Sequence, residues 1–250
     1  MKYNEFYLNT LLLKYFHDEM SVYAAQASFF IILAAFPFFV LFLCLIDLTP
    51  FLQESDLLEG MVNILPDNLD ALMITILHDI QTSVSTALLS ASALTAIWSS
   101  SKGMLSIERG LNKAYGIQVT RNYLLRRLVC SGYTLLFIAF CSLSLVLRGI
   151  NSIIMMFISI LAFYVILPYQ KQSILHQIPG TLFTTIGWTL FSRAFSFYFR
   201  HFKHYQPAHG SFTAIIILML WLYFNFCILF LGAEINSIIE NNPKDKKNSH

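Results

Sequence analysis

The sequence predicts an all-α fold, a polytopic membrane helix bundle of six transmembrane helices accompanied by interfacial amphipathic helices. Three observations predict it. Of the 250 residues, 56% are hydrophobic and only 12% charged, about half the charge of a soluble domain, and mean hydropathy is +0.62. Apolar stretches able to cross a hydrocarbon core roughly 30 Å thick recur along the chain. Lys and Arg gather in some connecting segments and are missing from others. Cys44, Cys130, Cys141 and Cys227 all fall inside apolar runs without a C-x-x-C pair, so they read as small buried hydrophobes. The first apolar run is too long for the core of a cleavable signal, and none is expected.

Residues 1–20 mix Tyr3, Phe6, Tyr7, Leu11 and Phe16 with Lys2, Glu5, Asn9 and Asp18, the pattern of an amphipathic helix lying in the interface. The first span is expected at 21–48. Pro37 should kink it, and Ala24, Ala25, Ala27 and Ser28 should let a neighbour approach closely. Residues 49–81 carry six carboxylates, and no Lys or Arg occurs between Lys14 and Lys102, which places this loop outside the cytoplasm. Leu69, Leu72, Met73, Ile76, Leu77 and Ile80 recur at helical spacing there and predict a second interfacial helix.

The second span, 82–99, carries Ser83, Ala87, Ala91, Thr95 and Ser99 every four residues, a small-residue packing seam. It leads into a polar helix with Glu108, Arg109, Asn112 and Lys113, followed by Arg121, Arg126 and Arg127. That concentration of positive charge makes the second loop cytoplasmic. Further spans are expected at 128–147, 153–167, 177–199 and 211–236, making a single domain over 1–240. Residues 241–250 are expected to form a disordered cytoplasmic tail. Six crossings put both termini in the cytoplasm.

Polar groups carried into an apolar layer must find one another. Gln26, Lys102, Glu108, Arg109, Asn112 and Glu234 should all lie near the inner surface and form an inner polar cluster. Glu234 is expected to pair with Arg109 or Lys102, with Gln26 hydrogen-bonding nearby. Such a pair either locks the bundle or serves as a gate or headgroup site. Arg148, Arg193, Arg200 and Lys203 form a candidate outer basic cluster, which either neutralises the acidic loop or receives an anion. His201 and His204 lack a third ligand, so no metal and no cofactor are expected.

Three runs carry a resemblance. AAQASFFIILAAFPFF (24–39), IWSSSKGMLSIERGLNKAYG (97–116) and HGSFTAIIILMLWLYFNFCILFLGAEIN (209–236) together resemble the YihY/BrkB family of bacterial inner-membrane proteins. The resemblance implies a six-helix integral membrane protein of the cytoplasmic membrane, linked to virulence and envelope integrity and suspected of lipid or solute transport. It carries over no catalytic residue, because no mechanism is settled for the family. Members have been labelled ribonuclease BN. Metal-assisted phosphodiester cleavage needs converging carboxylates or histidines, and here the cytoplasmic carboxylates are scattered, so the expectation is a non-enzyme without a nucleic-acid partner. Two functional classes stay open. One is a transporter or flippase for a lipid or anionic amphiphile. The other is a non-transporting envelope scaffold, and either could be a homo-oligomer.

Overall fold

In the computed structural model, placement is described for residues 2–48, 86–120, 122–146, 152–201 and 210–240. Those residues form seven helices and no strand: α1 (Lys2–His17), α2 (Met20–Leu48), α3 (Thr86–Ala114), α4 (Tyr123–Val146), α5 (Ser152–Ile166), α6 (Ile174–His201) and α7 (Gly210–Glu240). The expected interfacial helix within 49–81, Arg148, Lys203, His204 and the 241–250 tail lie outside the described residues. One stretch, Ile215–Glu240, is long and apolar enough by itself to cross a membrane, whereas Met20–Ala35 and Ile153–Ile166 are shorter apolar stretches. At 1.5 Å per residue, the 15 residues of α5 reach only about 22 Å.

The centre of the molecule is a three-helix seam of α2, α3 and α7. α2 and α3 share the most extensive contact, and α7 packs against α6, α2, α1 and α3. Small side chains make this approach possible: Ala24, Ala27 and Ser28 are fully buried on α2, and the Ser28 hydroxyl donates to the Ala24 carbonyl at 2.9 Å. Ala25, expected beside them, is exposed. Of the seam expected on α3, Ser83 and the side chains of Ala87 and Ala91 lie outside the described residues. Thr95 is exposed, while Ser99, Gly103, Ile107, Leu111 and Ala114 are buried. The polar segment thus continues the second span as one helix, with Leu111 and Ala114 sealed against α7's Phe230 and Ala233.

α3 ends at a glycine. Gly116 takes φ 67°, its N–H donates to the Lys113 carbonyl, and the Ile117 N–H returns to the Asn112 carbonyl. This is the double closure for which a left-handed residue is needed, and glycine adopts it without steric cost.

α6 is inside out relative to a soluble helix. Leu175, Leu182, Ile186 and Leu190 are exposed, while Gln177, Thr181 and Thr184 are fully buried. A helix in water buries the opposite set, so this pattern suits a hydrocarbon surround. The threonines satisfy themselves within the helix: Thr181 donates to the Gln177 carbonyl and Thr185 to that of Thr181, at 2.7 and 2.8 Å, as polar groups in an apolar layer must. α6 and α7 cross backbone to backbone at Gly180 and Gly232, where an added Cβ on Gly232 would strike Thr184, Tyr164 and the Gly180 carbonyl.

Candidate functional site

An open-sided cleft of about 560 Å³ lies against α2 and α3, with the start of α4 and Met219 of α7 completing its wall. Lys102 and Arg109 are seven residues apart on α3 and so project from one face. Gln26, Phe29 and Phe30 face them from α2, and Leu105, Ser106 and Tyr123 fill the space between. The Lys102 ammonium sits 4.9 Å from the Phe30 ring centroid and the Arg109 guanidinium 5.6 Å from that of Tyr123, within cation–π range. Among the described residues no carboxylate lines the cleft, and the ion pairs among those residues involve other cations. The arrangement is two positive heads, a neutral amide and a hydroxyl bordered by aromatic and aliphatic surface. That combination complements an anion attached to an apolar body.

Glu234 is not in this cleft. The expected partner, Arg109 or Lys102, is replaced by Lys14 of α1, whose Nζ lies 2.5 Å from Glu234 Oε2. The same ammonium donates to the Ala114 carbonyl at 2.6 Å and to Ser237 Oγ at 2.8 Å. Glu234 is fully buried, and a carboxylate there needs a counter-charge within reach. Asp18 neighbours it and is 3.7 Å from Lys113. Lys14 stands where the ends of α3 and α7 meet, whereas Lys102 and Arg109 line the cleft further back along α3. Gln26, expected beside Glu234, lines the cleft instead.

Glu108 and Asn112 form a third unit. Arg126 donates to Glu108 Oε2 through Nη2 at 3.0 Å and Nε at 3.3 Å. Asn112 Nδ2 donates to Glu108 Oε1 at 3.1 Å, and the backbone N–H of Tyr169 donates to Asn112 Oδ1 at 2.8 Å. Each of these side-chain oxygens has a donor, so this unit ties α3 to α4 and to the α5–α6 connection. Next to it Arg127 stacks 3.3 Å from the Trp98 ring centroid and donates to the Trp98 carbonyl.

The six residues expected to converge on the inner surface therefore divide. Gln26, Lys102 and Arg109 share the cleft, Glu108 and Asn112 share a structural pair, and Glu234 belongs with Lys14. Of the outer set, Arg193 is exposed on α6, Arg200 lies in that helix's last turn with its side chain outside the described residues, and Arg148 and Lys203 lie outside them altogether.

Sequence reasoning missed Lys14 and the buried amides Gln177 and Asn236, and it placed Arg126 only as part of the positive loop, not as the partner of Glu108. Lys14 interrupts the run Leu11-Leu12-Leu13-Lys14-Tyr15-Phe16, and a single cation in such surroundings was the available signal. Asn236 accepts the Gly180 N–H at 2.6 Å, and Gln177 accepts the Tyr115 hydroxyl at 2.6 Å. Together with the Tyr164 hydroxyl, which reaches Thr184 and the Leu229 carbonyl at 2.6 Å each, they knit α5, α6 and α7. Burial, above all, pushes the Tyr115 phenol well above its usual range, so it serves as a donor.

Comparison with known proteins sets this geometry in a lineage. A family model described as virulence factor BrkB matches residues 11–250. The ribonuclease-like protein YfkH of Bacillus subtilis is 30% identical over 266 residues, covering 95% of this chain and 96% of its own length. A UPF0761 membrane protein of Pseudoalteromonas atlantica is 34% identical over 77 residues, which is 31% of this chain and 26% of that protein. One from Coxiella burnetii is 33% identical over 86 residues, or 34% and 31% of the two chains. No solved structure matches.

Proposed function

The chain belongs to the BrkB family of membrane proteins, and from that premise we propose that it is a multi-pass transporter or flippase for a lipid or other anionic amphiphile. The observation that carries this reading is the cleft: Lys102 and Arg109, with no carboxylate among the described residues that line it, above a wall of Phe29, Phe30 and Met219. An anionic headgroup would bridge the two cations while its chains follow the apolar wall. Charge that is already held over aromatic rings is positioned without further ordering cost.

Six spans with both termini in the cytoplasm accompany the proposal. Lys14, Ala114 and Ser237 meet, so the end of α1, the end of α3 and the end of α7 share one end of the molecule. Lys113 pairs with Asp18 at that end, Arg109 stands five residues before Ala114 on α3 and Arg126 holds Glu108 one residue further back, and a Lys- and Arg-rich end faces the cytoplasm. The protein then sits in the bacterial cytoplasmic membrane, supports envelope integrity, and uses the cleft as an inner mouth. In this reading it is no enzyme, and the cleft cations bind rather than catalyse.

Reconstitution into liposomes with fluorescent phosphatidylglycerol tests it. Wild type should move the lipid between leaflets faster than empty vesicles do, and Lys102→Ala with Arg109→Ala should remove most of that rate. Folded wild-type protein that moves no lipid above the empty-vesicle rate contradicts the proposal.

A further inference from the structure

We propose that Glu234, Ser237 and the carbonyl of Ala114 form a monovalent-cation site, which Lys14 occupies in this structure as a tethered ammonium. The site stands apart from the cleft, and no part of the argument depends on it. Three oxygens of different kinds surround one positive nitrogen: a carboxylate at 2.5 Å, a carbonyl at 2.6 Å and a hydroxyl at 2.8 Å. That is an alkali-metal donor set, formed here around an NH₃⁺ group. The carbonyl belongs to the last residue of α3. The closure at Gly116 uses the carbonyls of Asn112 and Lys113, which leaves Ala114's free at the negative end of the helix dipole. Carboxylates and helix C-terminal carbonyls at membrane depth are what hold sodium or protons in membrane carriers.

A second observation points the same way. Glu234 is fully buried, Lys14 meets it only through Oε2, and the Asp18 carboxyl lies against it. Lysine therefore leaves ligand capacity unused, as an ammonium with three directional protons does where a spherical ion would not. Lys14 itself is 29% exposed and sits on α1, which packs chiefly against α7 and α2 among the described residues. The Glu234, Ser237 and Ala114 oxygens belong to α7 and α3, so they remain in place when the part-exposed Lys14 side chain swings to water, and a mobile monovalent ion is the replacement that keeps Glu234 compensated. Lys14 and a free ion compete for one site, so attachment of α1 responds to monovalent cations.

The test is thermal unfolding of purified Lys14→Met in sodium, potassium and choline chloride at equal ionic strength and equal pH. The variant should melt below wild type in choline. Sodium or potassium should recover at least half of the lost melting temperature with saturating dose dependence, and wild type should show no such preference. Adding Glu234→Gln to Lys14→Met should abolish the cation response. Lys14→Met that stays at its choline value, or stays unfolded, in both alkali salts overturns the proposal. So does a recovery that choline matches.

Discussion

Replacing Lys14 with methionine strands Glu234 in the interior without its counter-charge. With an effective dielectric constant of about 20, unit charges 2.5 Å apart attract by about 7 kcal/mol, most of which goes to offset the desolvation of both groups. Truncating one partner of a buried pair costs about 3–5 kcal/mol. Lys14 keeps 29% of its side chain exposed while Glu234 keeps none, which places the cost near the lower bound, about 3 kcal/mol. Glu234→Gln should cost less, about 1–2 kcal/mol, because the amide still accepts a hydrogen bond and the lysine can turn to water. The double substitution removes both charges and should fall short of the sum by about 2 kcal/mol. Denaturant unfolding of the four proteins, in choline chloride so that no alkali ion substitutes, measures this coupling. Single effects that add to within about 0.5 kcal/mol would refute the pairing.

Two further outcomes follow from the same contacts. Gly232→Ala should destabilise by about 3 kcal/mol, since its Cβ meets Thr184, Tyr164 and the Gly180 carbonyl and both overpacking and a broken buried hydrogen bond contribute. Gly132→Ala, where nothing lies within 4 Å, should instead stabilise α4 by about 0.5–1 kcal/mol. Melting curves that rank the two alike would discredit the crossing. Tyr115→Phe changes the alkaline limb of stability. Burial raises this phenol above its ordinary value, near 10, so the folded state favours the protonated form. The stability it contributes is whole below about pH 10 and is lost as pH climbs beyond. The variant should melt lower than wild type at pH 8, having lost the bond to Gln177, and lose less between pH 8 and 10.5. Parallel pH slopes would argue against it.

Local signals made helices legible and tertiary partners illegible. Apolar run length located Met20–Leu48, Ser152–Ile166 and Gly210–Glu240 closely, because an uncharged run over fifteen or more residues has few alternatives to a helix. The expected second span, 82–99, and the polar helix after it form one helix, Thr86–Ala114. In the fold, Lys102, Glu108 and Arg109 ride on a continuous helix whose other side is sealed by α2 and α7. Buried polar groups need partners, but which residue meets which required geometry, and the six residues expected in one cluster fall in three places. Glu234's partner is 220 residues away in sequence, since 234 minus 14 is 220, on a helix whose mixed pattern suggested only the interface. The membrane class was readable from composition, and the family match agrees. The inverted burial of α6 was not readable, because Thr181 and Thr184 look like ordinary surface residues until the exposed Leu182 and Ile186 are seen beside them.

The claim that matters most is that Lys102 and Arg109 receive an anionic headgroup in the α2–α3 cleft. Lipid retained by the purified protein, measured by native mass spectrometry after equilibration with equal phosphatidylglycerol and phosphatidylcholine, tests it directly. Wild type should favour phosphatidylglycerol several-fold, and Lys102→Gln with Arg109→Gln should bring the ratio close to one. An unchanged preference in that folded double variant would contradict the account.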